Sequence, residues 1–220
     1  MFRVGITIVA IVVSLIAVRY PTERFLPYSE LAPLVKEAAQ QYDRVVLVAE
    51  SFSSPLAIEY AASHPANLKA LVICAGFASS PVGRWVRRLE PVFNIPPPQF
   101  VLEYLLLGRK APNVLRAALR KSICSVSASV LAARVRAIAE CDVRQQLLDV
   151  AVPILYIQAG RDRVVGKSCF EEIRRLRPDT VLSTISAPHL VLQEEPRRAA
   201  EIIGTFLRQV TNPNLLFDQG

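Results

Sequence analysis

The sequence predicts an α/β fold in which a mostly parallel, doubly wound sheet is interrupted by a helical insertion. Short runs rich in β-branched residues alternate with stretches of helical spacing, which is the pattern of strand, crossover helix, strand. Between Gly76 and Val150 the strand signals vanish and only helical ones remain. Three polar residues, Ser51, Asp162 and His189, each follow the end of a predicted strand.

The first apolar run, Val4 to Val18, lies between Arg3 and Arg19. It is short for a membrane span, which needs roughly twenty residues. A charged start and apolar middle also suit a signal peptide, but no small-x-small cleavage site follows. We favour one or two buried strands, with Ile6 to Val18 beside the strand ending at Ala49 and packed on both faces as in a parallel sheet; a signal or membrane anchor is the alternative. From Ser29 to Gln41 the spacing of Leu31, Leu34, Val35 and Ala38 predicts a helix with Ser29 as its N-cap. The run Arg44-Val45-Val46-Leu47-Val48 is a strand, and Pro55 to Ala62 a helix that closes near His64-Pro65, because proline disfavours helix in the residue before it. Leu68 to Ala75 reads as the next parallel strand.

The insertion carries Trp85, Leu89, Val92 and Phe93, then Phe100, Leu102, Tyr104, Leu105 and Leu106, then the stretch Val114 to Ala139. These predict several amphipathic helices, broken at Pro96-Pro-Pro98 and from Gly108 to Pro112, that would cap the carboxyl ends of the strands. The domain organisation is then a core of residues 1–80 and 151–220 with a helical cap of residues 81–150. The aromatics Trp85, Phe93, Phe100 and Tyr104 are expected in the cap core; any that face inward would line an apolar pocket. After the insertion come a strand around Ile154, a helix from Ser168 to Arg177, a strand around Val181 and a closing helix from Arg197 to Val210.

A chain of 220 residues with 52% hydrophobic and 20% charged residues holds one domain with a large core. Its net charge of +7 could suit nucleic acid or an anionic membrane. The arginines are scattered through helices without interleaved aromatics, so a solvated basic face is favoured, nucleic acid is not expected, and membrane contact is not favoured. Cys74, Cys124, Cys141 and Cys169 form no metal-binding spacing, and Cys74 falls inside an apolar run as a core residue. With only two histidines in the chain, a metal site is not expected. A reducing, cytoplasmic location fits the cysteines, with membrane attachment or export as the alternative raised by the amino terminus.

Ser51 lies in Ala49-Glu50-Ser51-Phe52-Ser53, between a strand and a helix. A serine hydroxyl is a weak nucleophile, so an imidazole must take its proton and a carboxylate must orient that imidazole. His189 and Asp162 supply these groups in the chain order Ser, Asp, His. A sharp turn would lift Ser51 above the sheet and aim the Phe52 N–H at an oxyanion; it requires small residues two before and two after, here Ala49 and Ser53. Glu50 and Phe52 are expected at the pocket mouth. His64, before Pro65, reads as a helix-terminal residue without a catalytic part.

Together these motifs resemble the α/β-hydrolase superfamily, and more narrowly its small bacterial esterase-like members, over roughly Ala17 to Val210. The Glu-Ser-Phe-Ser elbow, the segment Val152-Pro-Ile-Leu-Tyr-Ile-Gln-Ala-Gly-Arg-Asp162 and the segment Ala187-Pro-His189-Leu carry the resemblance. It implies an α/β-hydrolase fold, a triad of Ser51, Asp162 and His189, and hydrolysis of a small-molecule ester without a cofactor. One departure stands out. The family's His-Gly loop, which supplies a second oxyanion donor, has no counterpart, since the sequence contains no His-Gly pair. Either the chain is truncated at its amino-terminal part relative to those relatives, or another backbone N–H, such as one in the turn after Tyr20-Pro21, substitutes. The alternative function is a weakly active or non-catalytic hydrolase-like protein attached to a membrane through its apolar amino terminus. The natural substrate and oligomeric state are not encoded in any recognisable motif.

Overall fold

The computed structural model describes residues 7–10, 14–81 and 98–211. Six strands form one sheet in the order β2-β1-β3-β4-β5-β6, with β1 Thr7–Ala10, β2 Ser14–Ala17, β3 Val45–Glu50, β4 Leu68–Cys74, β5 Ile154–Ala159 and β6 Val181–Ile185. Strands β3 to β6 are mutually parallel. The runs of β3, β4 and β5 alternate between two buried faces, as a sheet covered on both sides requires, whereas the edge strand β6 leaves Val181 and Leu182 exposed. Val45, Leu47, Ala49, Leu71, Ile73, Ile154 and Tyr156 face one helical layer. Val46, Val48, Ala70, Val72, Cys74, Leu155 and Ile157 face the other.

The first layer is built from α1 (Tyr28–Gln40), α2 (Ser54–Ala62) and α7 (Lys167–Leu176), whose buried Leu31, Val35, Leu56, Ile58 and Ile173 meet the sheet. The second comes from the short α8 (Val191–Glu194) and from α9 (Pro196–Thr211), through Val191, Ala199, Ile203 and Phe206. Between β4 and β5 lie α3 (Gln99–Leu107), α4 (Asn113–Cys124), α5 (Ala128–Glu140) and α6 (Arg144–Asp149). A bidentate pair between Arg120 and Glu103, at 2.6 and 2.9 Å, joins α3 to α4. Chain direction turns by 98° between α4 and α5. Among the described residues no single helix is long and apolar enough to cross a membrane.

Three expectations need correction. The amino-terminal run does lie beside β3, but β1 is antiparallel to it and to β2. Only three residues separate β1 from β2, and so short a connection can join strands only in antiparallel sense. Nor is the run buried on both faces. Strand β2 is a sheet edge, with Leu15 69% exposed and burial regained only at Val18. Ile6 lies outside the described residues. Ser29 does not cap α1; Pro27 is the N-cap, its carbonyl accepting from the Glu30 and Leu31 N–H groups, and Ser29 sits in the first turn. The aromatic Phe100, expected in the cap core, is 72% exposed. Tyr104 is partly exposed and lies under the guanidinium groups of Arg109 and Arg163. Trp85 and Phe93 fall outside the described residues.

Candidate active site

The site forms at the carboxyl end of the parallel strands. Strand β3 ends at Glu50, and the chain turns at once into a 3-10 turn, Ser51–Ser53, that runs into α2. Ser51 occupies the left-handed region at φ 53°. A non-glycine residue there is strained, and such strain persists only where the surroundings hold it. Here they do. Ala49 and Ser53 are fully buried, and the Tyr20 hydroxyl donates to Ser53 Oγ at 3.1 Å. That bond accommodates a serine where the elbow motif ordinarily has glycine. The space beneath the start of α2 is kept by Gly76: a Cβ there would lie 2.0 Å from Ser54 Oγ and 2.5 Å from Ile73 Cγ2.

His189 follows β6 on the loop before α8 and is 1% exposed. Its Nε2 is 2.7 Å from Ser51 Oγ, and its Nδ1 is 2.8 Å from Asp162 Oδ2. Asp162 follows β5 and is fixed in turn, because its Oδ1 accepts from the Val164 and Val165 N–H groups at 2.7 and 2.9 Å. A carboxylate so anchored sets the Nδ1–H tautomer and leaves Nε2 as an acceptor toward the serine. Residues separated by 138 positions, Ser51 and His189, are thus brought into contact. His64 is elsewhere: it ends α2 at φ 53°, donating its N–H to Ala61 O.

Phe52 and Glu50 do not sit at a pocket mouth as expected. Phe52 is 6% exposed, stacked on Tyr28 at 4.9 Å, edge-on to Tyr20 at 5.9 Å and beneath the Arg134 guanidinium. This cluster pins the residue that follows Ser51 in the 3-10 turn. Glu50 is buried, and its Oε1 accepts from Leu192 N–H at 3.0 Å. Burial pushes its carboxyl above the usual carboxylate range. Tyr20, Gly76 and the partner of Glu50 were not legible in the sequence, because each acts through a contact with a distant segment. Helix α3 also reaches the site: Leu190 N–H donates to Leu106 O at 3.1 Å, and Leu190 packs with Leu107, Ala111 and Leu119. All four cysteines are free thiols, with Cys74, Cys141 and Cys169 buried. Among the described residues no cluster of histidine, cysteine and carboxylate side chains could hold a metal ion.

No family model and no curated protein matches the chain. Solved structures do. The chain is similar to a hydrolase from Pseudomonas aeruginosa, with 20% identity and a TM-score of 0.70 over 84% of this chain and 73% of that one. It is similar to a carboxylesterase structure from the thaumarchaeon Nitrososphaera gargenis, with 18% identity and a TM-score of 0.67 over 86% and 74%. A bromoperoxidase from Bacillus anthracis matches at 13% identity and a TM-score of 0.69, over 83% and 74%. The parallel strands, the elbow after β3 and these neighbours agree: the chain has the α/β-hydrolase fold.

Proposed function

We propose that the protein is a serine carboxylic ester hydrolase acting on short- to medium-chain acyl esters through Ser51, His189 and Asp162. The observation that carries this reading is the continuous hydrogen-bonded line from Ser51 Oγ through the His189 ring to Asp162, at 2.7 and 2.8 Å. In the reaction, Ser51 Oγ attacks the acyl carbon as its proton passes to His189 Nε2. Asp162 stabilises the imidazolium, and the Phe52 N–H faces the oxyanion. His189 then returns the proton to the leaving alcohol, leaving Ser51 acylated. Water, deprotonated by the same nitrogen, attacks the acyl group; the acid departs and the Ser51 hydroxyl is restored.

Hydrolases, carboxylesterases and a bromoperoxidase share this architecture, so the fold does not choose the reaction. The absence of a His-Gly pair favours a second reading, a hydrolase-like protein with an incomplete oxyanion hole and weak or no turnover. Loss of one such donor costs on the order of a hundredfold to a thousandfold in turnover. Assay with p-nitrophenyl acetate and butyrate, beside Ser51→Ala, separates the two. The proposal expects turnover that the substitution abolishes; full activity in Ser51→Ala, or none in the unaltered protein, contradicts it.

A further inference from the structure

We infer that Glu50 is a positioning residue for His189: its carboxylate fastens the helix that follows the imidazole to the strand that carries the nucleophile. The inference rests on the reading of Ser51, Asp162 and His189 as a catalytic triad. Besides the contact with Ser51 Oγ and the bonds that Arg161 donates to Ala187 O and Ser186 O, three hydrogen bonds tie the segment around His189 to other parts of the chain. Asp162 grips Nδ1 at 2.8 Å, Leu190 N–H is bound to Leu106 O at 3.1 Å, and Leu192 N–H is bound to Glu50 Oε1 at 3.0 Å. Of the three, only the last reaches β3, whose final residue is covalently joined to Ser51. The tie therefore runs from the nucleophile's own backbone to a point three residues past the base.

The setting of Glu50 argues for a purpose other than stability. The residue aligns with Cys74 on the neighbouring strand, and its side chain points to the sheet face where Val46 and Val48 are buried. An apolar side chain would suit that environment better, since taking a carboxylate out of water is costly unless donors surround it. The donors are few: Leu192 N–H and the side chain of Gln193. The other groups that face it are His189, Asp162 and the Cys74 thiol, which burial keeps protonated and uncharged. A buried acid with its oxygen on the helix behind the base fits a clamp.

Proton NMR reads the clamp without relying on turnover, because an Nδ1–H held against a carboxylate gives a far-downfield resonance. The chain has two histidines, so persistence of that resonance in His64→Asn assigns it to His189. Glu50→Gln keeps an oxygen that can accept from Leu192 N–H and should retain the resonance and most of the turnover. Glu50→Ala and the shorter Glu50→Asp release the helix. Each should broaden or abolish the resonance and lower kcat by about a hundredfold, the loss typical of small misplacement, with KM little changed. Glu50→Asp carries the test if Glu50→Ala does not fold. An unchanged resonance and kcat in the Ala or Asp variant would overturn the clamp, as would equal losses in Gln and Ala. If the unaltered protein shows no turnover but the resonance responds as expected, the hydrolase reading fails and the clamp stands.

Discussion

Ser51 is the residue on which local strain and tertiary contact meet. Its left-handed backbone can be held only if the helix after it packs closely under β4, and Gly76 is what allows this approach. Gly76→Ala would drive a Cβ to within 2.0 Å of Ser54 Oγ. We predict a loss of about 1–3 kcal/mol, as for other overpacked cores, together with lower ester turnover as the elbow shifts. Thermal unfolding and the p-nitrophenyl assay would check it; an unchanged melting temperature would contradict this account of the glycine. The positions proposed as a triad, Ser51, Asp162 and His189, were legible from sequence because each follows a strand in the chain order Ser, Asp, His. Glu50 and Tyr20 were not, because a glutamate and a tyrosine carry no pattern until Leu192 and Ser53 are brought against them.

At the scale of elements, the strands that flank the site were the most legible, since a short continuous run of mostly β-branched residues such as Val45–Ala49, followed at once by a helical pattern, suits a sheet covered on both faces. Edges were less so. The run before Val18 has the same composition as the central strands, yet forms an antiparallel pair whose outer member leaves Leu15 exposed. Composition records that a strand forms, while its direction follows from the length of the connection. Removing residues 1–17 would uncover the edge of β3 that now pairs with β1. The shortened chain should associate through that edge, seen as larger species by light scattering. A monomeric product with the original melting temperature would show that the hairpin is dispensable.

For the whole molecule, two sets of acids act oppositely on how stability varies with pH. The hydrogen bonds from Arg120 and Arg177 lower the carboxyls of Glu103 and Asp179. Desolvation raises those of the buried Glu50 and the partly buried Glu59 and Glu194 above the ordinary value of 4.5. The native state therefore binds these protons more tightly than the unfolded chain does. Their contribution to stability is complete below about 4.5 and is lost as pH rises through the raised native values. Glu50→Gln removes one such group, so it should raise the melting temperature near neutral pH, with the difference shrinking toward zero below 4.5. A difference that does not vary with pH would contradict the assignment. The net charge of +7, in contrast, says nothing of this behaviour and nothing of the reaction. The central claim is that Ser51 carries the acyl group, and mass spectrometry after acid quench of a reaction with p-nitrophenyl acetate tests it most directly. The account predicts one added acetyl group on the peptide containing Ser51, absent in Ser51→Ala and slow to form in a His189→Ala variant. An acetyl group on another residue, or none at any time while the ester is consumed, would contradict it.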